Sequence, residues 1–237
     1  MNLEGKNLLI AGGSSGIGLS LIKKLVSAGA NIYTICRSVS PEWPQGVKHL
    51  PIDVVGDLTS LTTFLPGQLD GLVYSIGSIN LKPFGRLTAE DFMNDYSLNV
   101  IGAAMIIQKS LKSLKNAPSA SVVLISSVAA QTGFGYHASI SAAKSGLEGM
   151  ALSLAAELAA DNIRVNVVAP SITDTPLAQT LLSTPEKREA SAKRHPLGQF
   201  GKPEDISSAI TFLLSEESDW ITGQVLGIDG GLSKLKV

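Results

Sequence analysis

Two stretches carry residues whose types and spacing could do chemistry. The first is Gly12-Gly13-Ser14-Ser15-Gly16-Ile17-Gly18, set between the apolar run Asn7–Ala11 and a segment with helical apolar spacing at Leu21, Ile22, Leu25 and Val26. Glycine at 12, 16 and 18 lets the backbone turn tightly, approach a ligand closely and pack a helix against a strand. Backbone N–H groups of the loop (candidate contacts Gly12, Ser14, Ser15, Gly16, Ile17 and Gly18) and the positive end of the next helix then face a pyrophosphate. A purely structural turn is the plainer alternative, but the place of the loop after a first strand and before a first helix favours dinucleotide binding. The second stretch is residues 125–144. It holds the pair Ser126-Ser127 at the end of an apolar run, a glycine-bearing loop, and Lys144 one turn into a helix.

The apolar pattern supplies elements to position these groups. A strand over Asn7–Ala11, a helix over 19–28 stopped at Gly29 and a strand over Asn31–Cys36 make a βαβ unit. Further strands are expected over 47–52, 71–76, 121–126, 164–169 and 224–228, with helices over 57–65, 90–114, 139–160 and Pro203–Leu214. Short apolar runs alternating with helices imply an α/β fold: a Rossmann-type, doubly wound, seven-stranded parallel sheet with helices on both faces. No repeat or linker interrupts it, so a single domain spans 1–237. The one long irregular stretch, 171–201, is expected to be a substrate lid.

Composition narrows the function classes. With 44% hydrophobic and 16% charged residues, the chain can bury a large core. Nineteen basic against twenty acidic residues leave no field to draw nucleic acid or anionic lipid, so a small-molecule substrate is expected. A single cysteine, Cys36, excludes an intramolecular disulfide, and no metal site is expected. The N-terminus lacks a signal-peptide layout and no apolar window reaches a membrane span, so the expected location is the cytoplasm.

The glycine loop, NVVAPSITDTP and the C-terminal GKPEDISSAITFLLSEESDWITGQVLGIDGG together give a resemblance that runs nearly end to end. The sequence is similar to the short-chain dehydrogenase/reductase family, in its ketoacyl-reductase-like form, whose loop reads Thr-Gly-x-x-x-Gly-x-Gly; Ala11 stands at the threonine. The resemblance implies a nicotinamide dinucleotide. At the end of the second strand, where an acid would grip the ribose hydroxyls of NAD, stand Cys36 and then Arg37. A guanidinium can pair with a 2′-phosphate that a carboxylate would repel, which favours NADP over NAD, unless Arg37 is only a solvated loop charge. Asp53-Val54 matches the family pair that reads the adenine, though Asp53 could instead cap the next helix. Tyr74-Ser75-Ile76-Gly77 partly matches Asn-Asn-Ala-Gly, which gives Ser75 and Gly77 as cofactor contacts. Asn99 corresponds to the helix asparagine that holds a relay water, and Pro170, Thr173 and Thr175 to the nicotinamide-side loop, with Ser171 at a family glycine.

In this family a serine and a tyrosine hold the substrate oxygen, and a lysine four residues after the tyrosine lowers its pKa and binds the nicotinamide ribose. Such chemistry needs a proton source, because hydride reaching a carbonyl carbon builds an alkoxide. Ser127 and Lys144 match, but the tyrosine position is Ile140, which has no proton to give. Tyr136 and His137, at the entry of the helix, are candidate substitutes. His137 precedes Lys144 by nearly two helical turns, a spacing similar to the Tyr-x-x-Met-x-x-x-Lys of enoyl reductases; a loop histidine without a catalytic task is the alternative.

The expectation is therefore an NADP(H)-dependent oxidoreductase acting on a carbonyl/hydroxyl or activated alkene of a small molecule, with an atypical site. The alternative is a catalytically impaired NADP(H)-binding protein serving as a sensor or partner subunit. In the lid, 177–182 suggests a short amphipathic helix. Lys187, Arg188, Lys193 and Arg194 could touch an anionic substrate tail or form a solvated face, and His49 and His195 have no visible partners. Small and apolar residues nearly all round 139–160, and similarly along 91–114, suggest a homodimer or homotetramer through these helices.

Overall fold

Alternation within β1 (Asn7–Ala11) decides the layering of the fold. Leu8 and Ile10 join one core with Leu21, Ile22 and Leu25, while Leu9 and Ala11 join a second with Tyr74, Val100 and Ala103. Each side chain goes to the face opposite its neighbour, as the two-residue period of a strand requires. A computed structural model of the chain describes residues 3–236. Its strands are β1, β2 (Asn31–Cys36), β3 (Lys48–Pro51), β4 (Gly71–Tyr74), β5 (Ala120–Ile125), β6 (Ile163–Pro170) and β7 (Val225–Ile228). They form one parallel sheet in the order β3-β2-β1-β4-β5-β6-β7. The order reverses between β1 and β4, so a crevice opens at the carboxyl ends of those strands.

Helices α1 (Gly16–Ser27) and α7 (Pro203–Leu214) supply the first core. The second is covered by α4 (Gly102–Lys115) and α5 (Ala138–Leu158), with α2 (Leu61–Phe64) at its margin and α3 (Ala89–Tyr96) leading into α4. This is the α/β, doubly wound, seven-stranded architecture expected from the pattern. Several boundaries differ. The helix expected over 57–65 contracts to α2, because Asp57 folds into a side-chain turn that accepts from the Thr59 N–H at 2.9 Å. The helix expected over 90–114 is α3 and α4 joined by a π-helical turn, Ser97–Ile101.

The stretch 171–201 is not wholly irregular. The expected helix over 177–182 is only a 3₁₀ turn, Pro176–Ala178, and the true helix is α6 (Pro185–Lys193). Thr184 caps it by accepting from the Lys187 N–H at 3.3 Å, with Pro185 in its first turn. Its sequence, PEKREASAK, has no apolar stripe, so periodicity alone passes over it. Among the described residues, no helix is long and apolar enough to cross a membrane, and no cluster of His, Cys, Asp or Glu could hold a metal ion.

Candidate active site

The glycine loop closes on itself so tightly that side chains cannot enter. A Cβ on Gly18 would lie 1.9 Å from the Gly12 carbonyl oxygen, and one on Gly13 would lie 2.4 Å from both Ile22 and Thr34. Gly12 and Gly16 adopt φ of 91° and 53°, the region that favours glycine. Ser15 caps α1 in an extended conformation without a side-chain cap bond, and the first turn holds no acidic residue. The helix thus presents its N-terminal N–H donors and positive dipole end with no side chain of its own answering them.

Neighbouring elements complete this cradle. A Cβ on Gly16 would lie 3.2 Å from Thr175, and one on Gly12 would lie 2.8 Å from Ile76 and 2.9 Å from the Ser75 carbonyl oxygen. The loop after β6 and the end of β4 are therefore both packed on the glycine loop. Arg37 is exposed at the end of β2, beside buried Cys36, whose thiol is pushed up by burial. The Trp43 indole N–H donates to the Gly13 carbonyl at 2.8 Å. Asp53 is exposed and accepts from the Val55 N–H at 3.2 Å, while Val54 is buried. Since α2 begins only at Leu61, Asp53 does not cap it.

At the other end of the crevice, a Cβ on Gly77 would lie 3.2 Å from Asn99 Oδ1 and 3.4 Å from Lys144 Nζ. Asn99 sits in the π-helical turn, a distortion often found at functional sites, and its Nδ2 donates to the Asp95 carbonyl at 2.8 Å. Its Oδ1 is buried without a partner, as is the Ser139 hydroxyl. Lys144 is buried and donates to the Ile125 carbonyl at 2.7 Å. Burial pulls its pKa down to about 8, against the opposing charges of Asp95 and Glu148. Ser126 donates to Glu148 at 2.7 Å, and the Ser127 hydroxyl accepts from the Ala129 N–H at 3.2 Å, capping a 3₁₀ turn at the end of β5.

Tyr136 and His137 make no side-chain hydrogen bond to this group. The expected shared face of His137 and Lys144 requires a helix that starts early, whereas α5 begins at Ala138 and Tyr136 has a positive φ of 69° just before it. His137 is half-buried and bonds the Gly135 carbonyl through Nδ1 at 2.6 Å, while Lys144 is buried. Both candidates instead line a cavity of about 350 Å³ with Lys82, Phe84, Phe134 and Ser141. Ile140 itself is 6% exposed, a core residue.

The stretch 171–201 is pinned by residues with no evident role in the sequence. His195, without a visible partner in the sequence, is buried; its Nδ1 bonds the Ser191 carbonyl at 2.7 Å and its Nε2 the Ser171 hydroxyl at 2.8 Å. The carbonyl can only accept, so Nδ1 carries the proton in this bond. A serine at the family's glycine position was the available signal. Thr173 and Thr175 each donate to the carbonyl two residues back, at 3.1 and 3.3 Å, and Pro170 ends β6 beside Ile228. The basic run is largely spent within the stretch 171–201 itself: Arg188 pairs with Asp174 at 2.6 Å, Lys193 with Glu189 at 2.6 Å, and Arg194 donates to Ser191 at 3.2 Å. His49 bonds the Cys36 carbonyl at 2.9 Å.

Tyr74 was also passed over as a site-building residue. Its hydroxyl, fully buried, donates to the Leu98 carbonyl at 2.6 Å, inside the π-helical turn that carries Asn99. Gly102 makes room for it, since a Cβ there would lie 2.5 Å from the Tyr74 oxygen.

Comparisons with known proteins agree with this architecture. A family model described as enoyl-(acyl carrier protein) reductase matches residues 11–233. A tropinone reductase homologue of Arabidopsis thaliana is 32% identical over 98% of this chain and 94% of its own length. The 3-oxoacyl-[acyl-carrier-protein] reductase of Thermotoga maritima is 34% identical over 98% of this chain and 99% of its own. Among solved structures, ElxO with NADP bound superimposes with a TM-score of 0.88 at 26% identity, covering 98% of this chain and all of that one (100%).

Proposed function

The chain belongs to the short-chain dehydrogenase/reductase family of oxidoreductases, and from that premise we propose that it is an NADP(H)-dependent oxidoreductase acting on a carbonyl/hydroxyl or activated alkene of a small molecule. One observation carries this: Thr175 lies close to Gly16, Ser75 and Ile76 close to Gly12, and Asn99 and Lys144 close to Gly77, so three glycines mark one crevice at the strand ends. Glycine cradle, free α1 donors and a buried, unpaired Asn99 Oδ1 are what a dinucleotide laid across the crevice would use. Arg37, with no acid beside it at the end of β2, supports NADP over NAD, and ElxO binds NADP on the same fold. When bound, the nicotinamide supplies or accepts the hydride.

This chain's own residues would bind, orient and manage the proton. Gly12, Ser14, Ser15, Gly16, Ile17 and Gly18 would hold the pyrophosphate; Arg37, Asp53, Val54, Ser75 and Gly77 the adenosine half; Lys144, Pro170, Thr173 and Thr175 the nicotinamide half. Ser127 would orient the substrate oxygen. Ile140 cannot donate, and neither Tyr136 nor His137 is bonded to this group, so the proton is left to Lys144, Asn99 and water. Met93, Tyr96 and Ile101 around the π-helical turn and Leu152 on α5 are large, apolar and exposed, which supports self-association through these helices. A cytoplasmic site of action goes with this function.

The test is NADPH loss followed across ketones, quinones and enoyl thioesters, with NADH in parallel. Turnover is expected with NADPH, and Ile140→Tyr is expected to raise it by about 10²-fold; turnover left intact by both His137→Ala and Tyr136→Phe removes the substitute-acid idea. Tight NADPH binding with no turnover on any substrate, and none restored by Ile140→Tyr, would move the protein to a sensor or partner subunit.

A further inference from the structure

Asp95, on α3, is 3% exposed and is the most deeply buried carboxylate among the described residues. A carboxylate so placed is costly unless it is satisfied and serves another charge. Its donors are neutral: the Ser78 hydroxyl at 2.7 Å and Asn80 Nδ2 at 3.4 Å. Ser78 in turn accepts from Asn99 Nδ2 at 3.4 Å, and that same Nδ2 donates to the Asp95 backbone carbonyl at 2.8 Å. Ser78 follows Gly77, against which Lys144 Nζ and Asn99 Oδ1 both rest. A carboxylate, a hydroxyl, an amide and an ammonium thus gather around one glycine, with no residue of the sequence-derived site among the first two.

We propose that Asp95 is a positioning residue of this site: its carboxylate, carried through Ser78, fixes the Asn99 amide and supplies the counter-charge that keeps the Lys144 ammonium in the crevice. This rests on the NADP(H) function proposed above and extends it to a group that touches neither cofactor nor substrate. The other charged groups facing this region are Glu148, on α5 with Lys144, and Asp91, one turn before Asp95 on α3. Asp91 is already neutralised by Lys82 and the Thr88 cap at the surface. Asp95 therefore stands as the larger counterweight to the burial that drives Lys144 toward its neutral form, with Glu148 second. Without that counterweight the amine would lose its charge at a lower pH and with it the grip on a ribose hydroxyl.

NADPH affinity, read by fluorescence titration of the full-length protein between about pH 6 and about pH 10, tests this. Asp95→Asn keeps an acceptor for Ser78 but removes the charge. It is expected to move the alkaline midpoint of NADPH binding down by about one pH unit, with the thermal midpoint unchanged or raised. A purely structural Asp95 would show the reverse, a lowered melting temperature and an unmoved midpoint, and that result overturns the proposal, as does a wild-type affinity flat across the range. Ser78→Ala keeps the charge and removes the bridge. It is expected to lower turnover while the midpoint stays in place; unchanged turnover overturns the bridging role even if Asp95→Asn fails to fold. Wild-type protein that binds no NADPH at any pH sinks the dinucleotide function itself, whereas binding with an unmoved midpoint in folded Asp95→Asn sinks only the role of Asp95.

Discussion

The two ends of the crevice are built from different materials. At the phosphate end, the surface is backbone: glycines whose Cβ positions are already occupied by Gly12, Ile22 and Thr34, and helix donors that no side chain answers. At the nicotinamide end it is a side-chain network, in which Asn99, Lys144, Ser78 and Asp95 meet around Gly77 and Tyr74 braces the turn beneath. A backbone surface tolerates almost no change at its glycines and great freedom elsewhere. A side-chain network can lose one member if others carry the charge and the proton.

The largest effect should come from the backbone end. Gly18→Ala places a methyl 1.9 Å from the Gly12 carbonyl, so the loop must move; NADPH binding should vanish and stability should fall by about 1–3 kcal/mol in urea titrations. Binding within a few-fold of wild type would break the comparison, since the loop would then be no more constrained than the network.

The network makes a second, pH-dependent prediction. The Lys144 value in the fold, about 8, lies below its ordinary 10.5. Between those values the unfolded chain holds a proton that the native chain has lost, so stability rises with pH across that window, by no more than about 3 kcal/mol. Below about 8 both states are protonated and the buried charge is a constant burden. Unfolding titrations of the wild type and Lys144→Met should diverge in slope between about 8 and 10.5, the variant lacking the rise; parallel curves across that window would mean the amine is not desolvated.

A smaller effect isolates the brace. Tyr74→Phe leaves the Leu98 carbonyl buried without its donor and should cost about 1–3 kcal/mol. Gly102→Ala in the wild type drives a methyl into the Tyr74 hydroxyl; in the Tyr74→Phe background that clash is relieved, so the two changes should couple in a double-mutant cycle. Strict additivity would show that the π-helical turn holds itself.

What was legible in the sequence follows the same division. The Gly12–Gly18 loop, β1, β2 and α7 were read with correct bounds or nearly so, because glycine placement and apolar period are local signals. Ser127, Asn99 and Lys144 were placed by resemblance, and the structure brings Asn99 and Lys144 together. Asp95 was missed although it lies four residues before Asn99, about one turn away; it is the one buried residue of α3, and no apolar stripe there marks it. Tyr74 could not be read, because its partner, Leu98, exists only once the π turn has formed. The partners of His195 lie on α6, a helix without apolar period, and on Ser171, 24 residues away.

The indole of Trp43, bonded to the Gly13 carbonyl, gives the loop an optical label of its own. The other tryptophan, Trp220, is fully exposed and lies in the connection between α7 and β7. Emission from the two indoles should differ in colour and in access to quenchers, one half-shielded against the glycine loop and the other bathed in water. Occupancy of the loop is therefore written into the unmodified protein's own fluorescence, without a reporter group being attached.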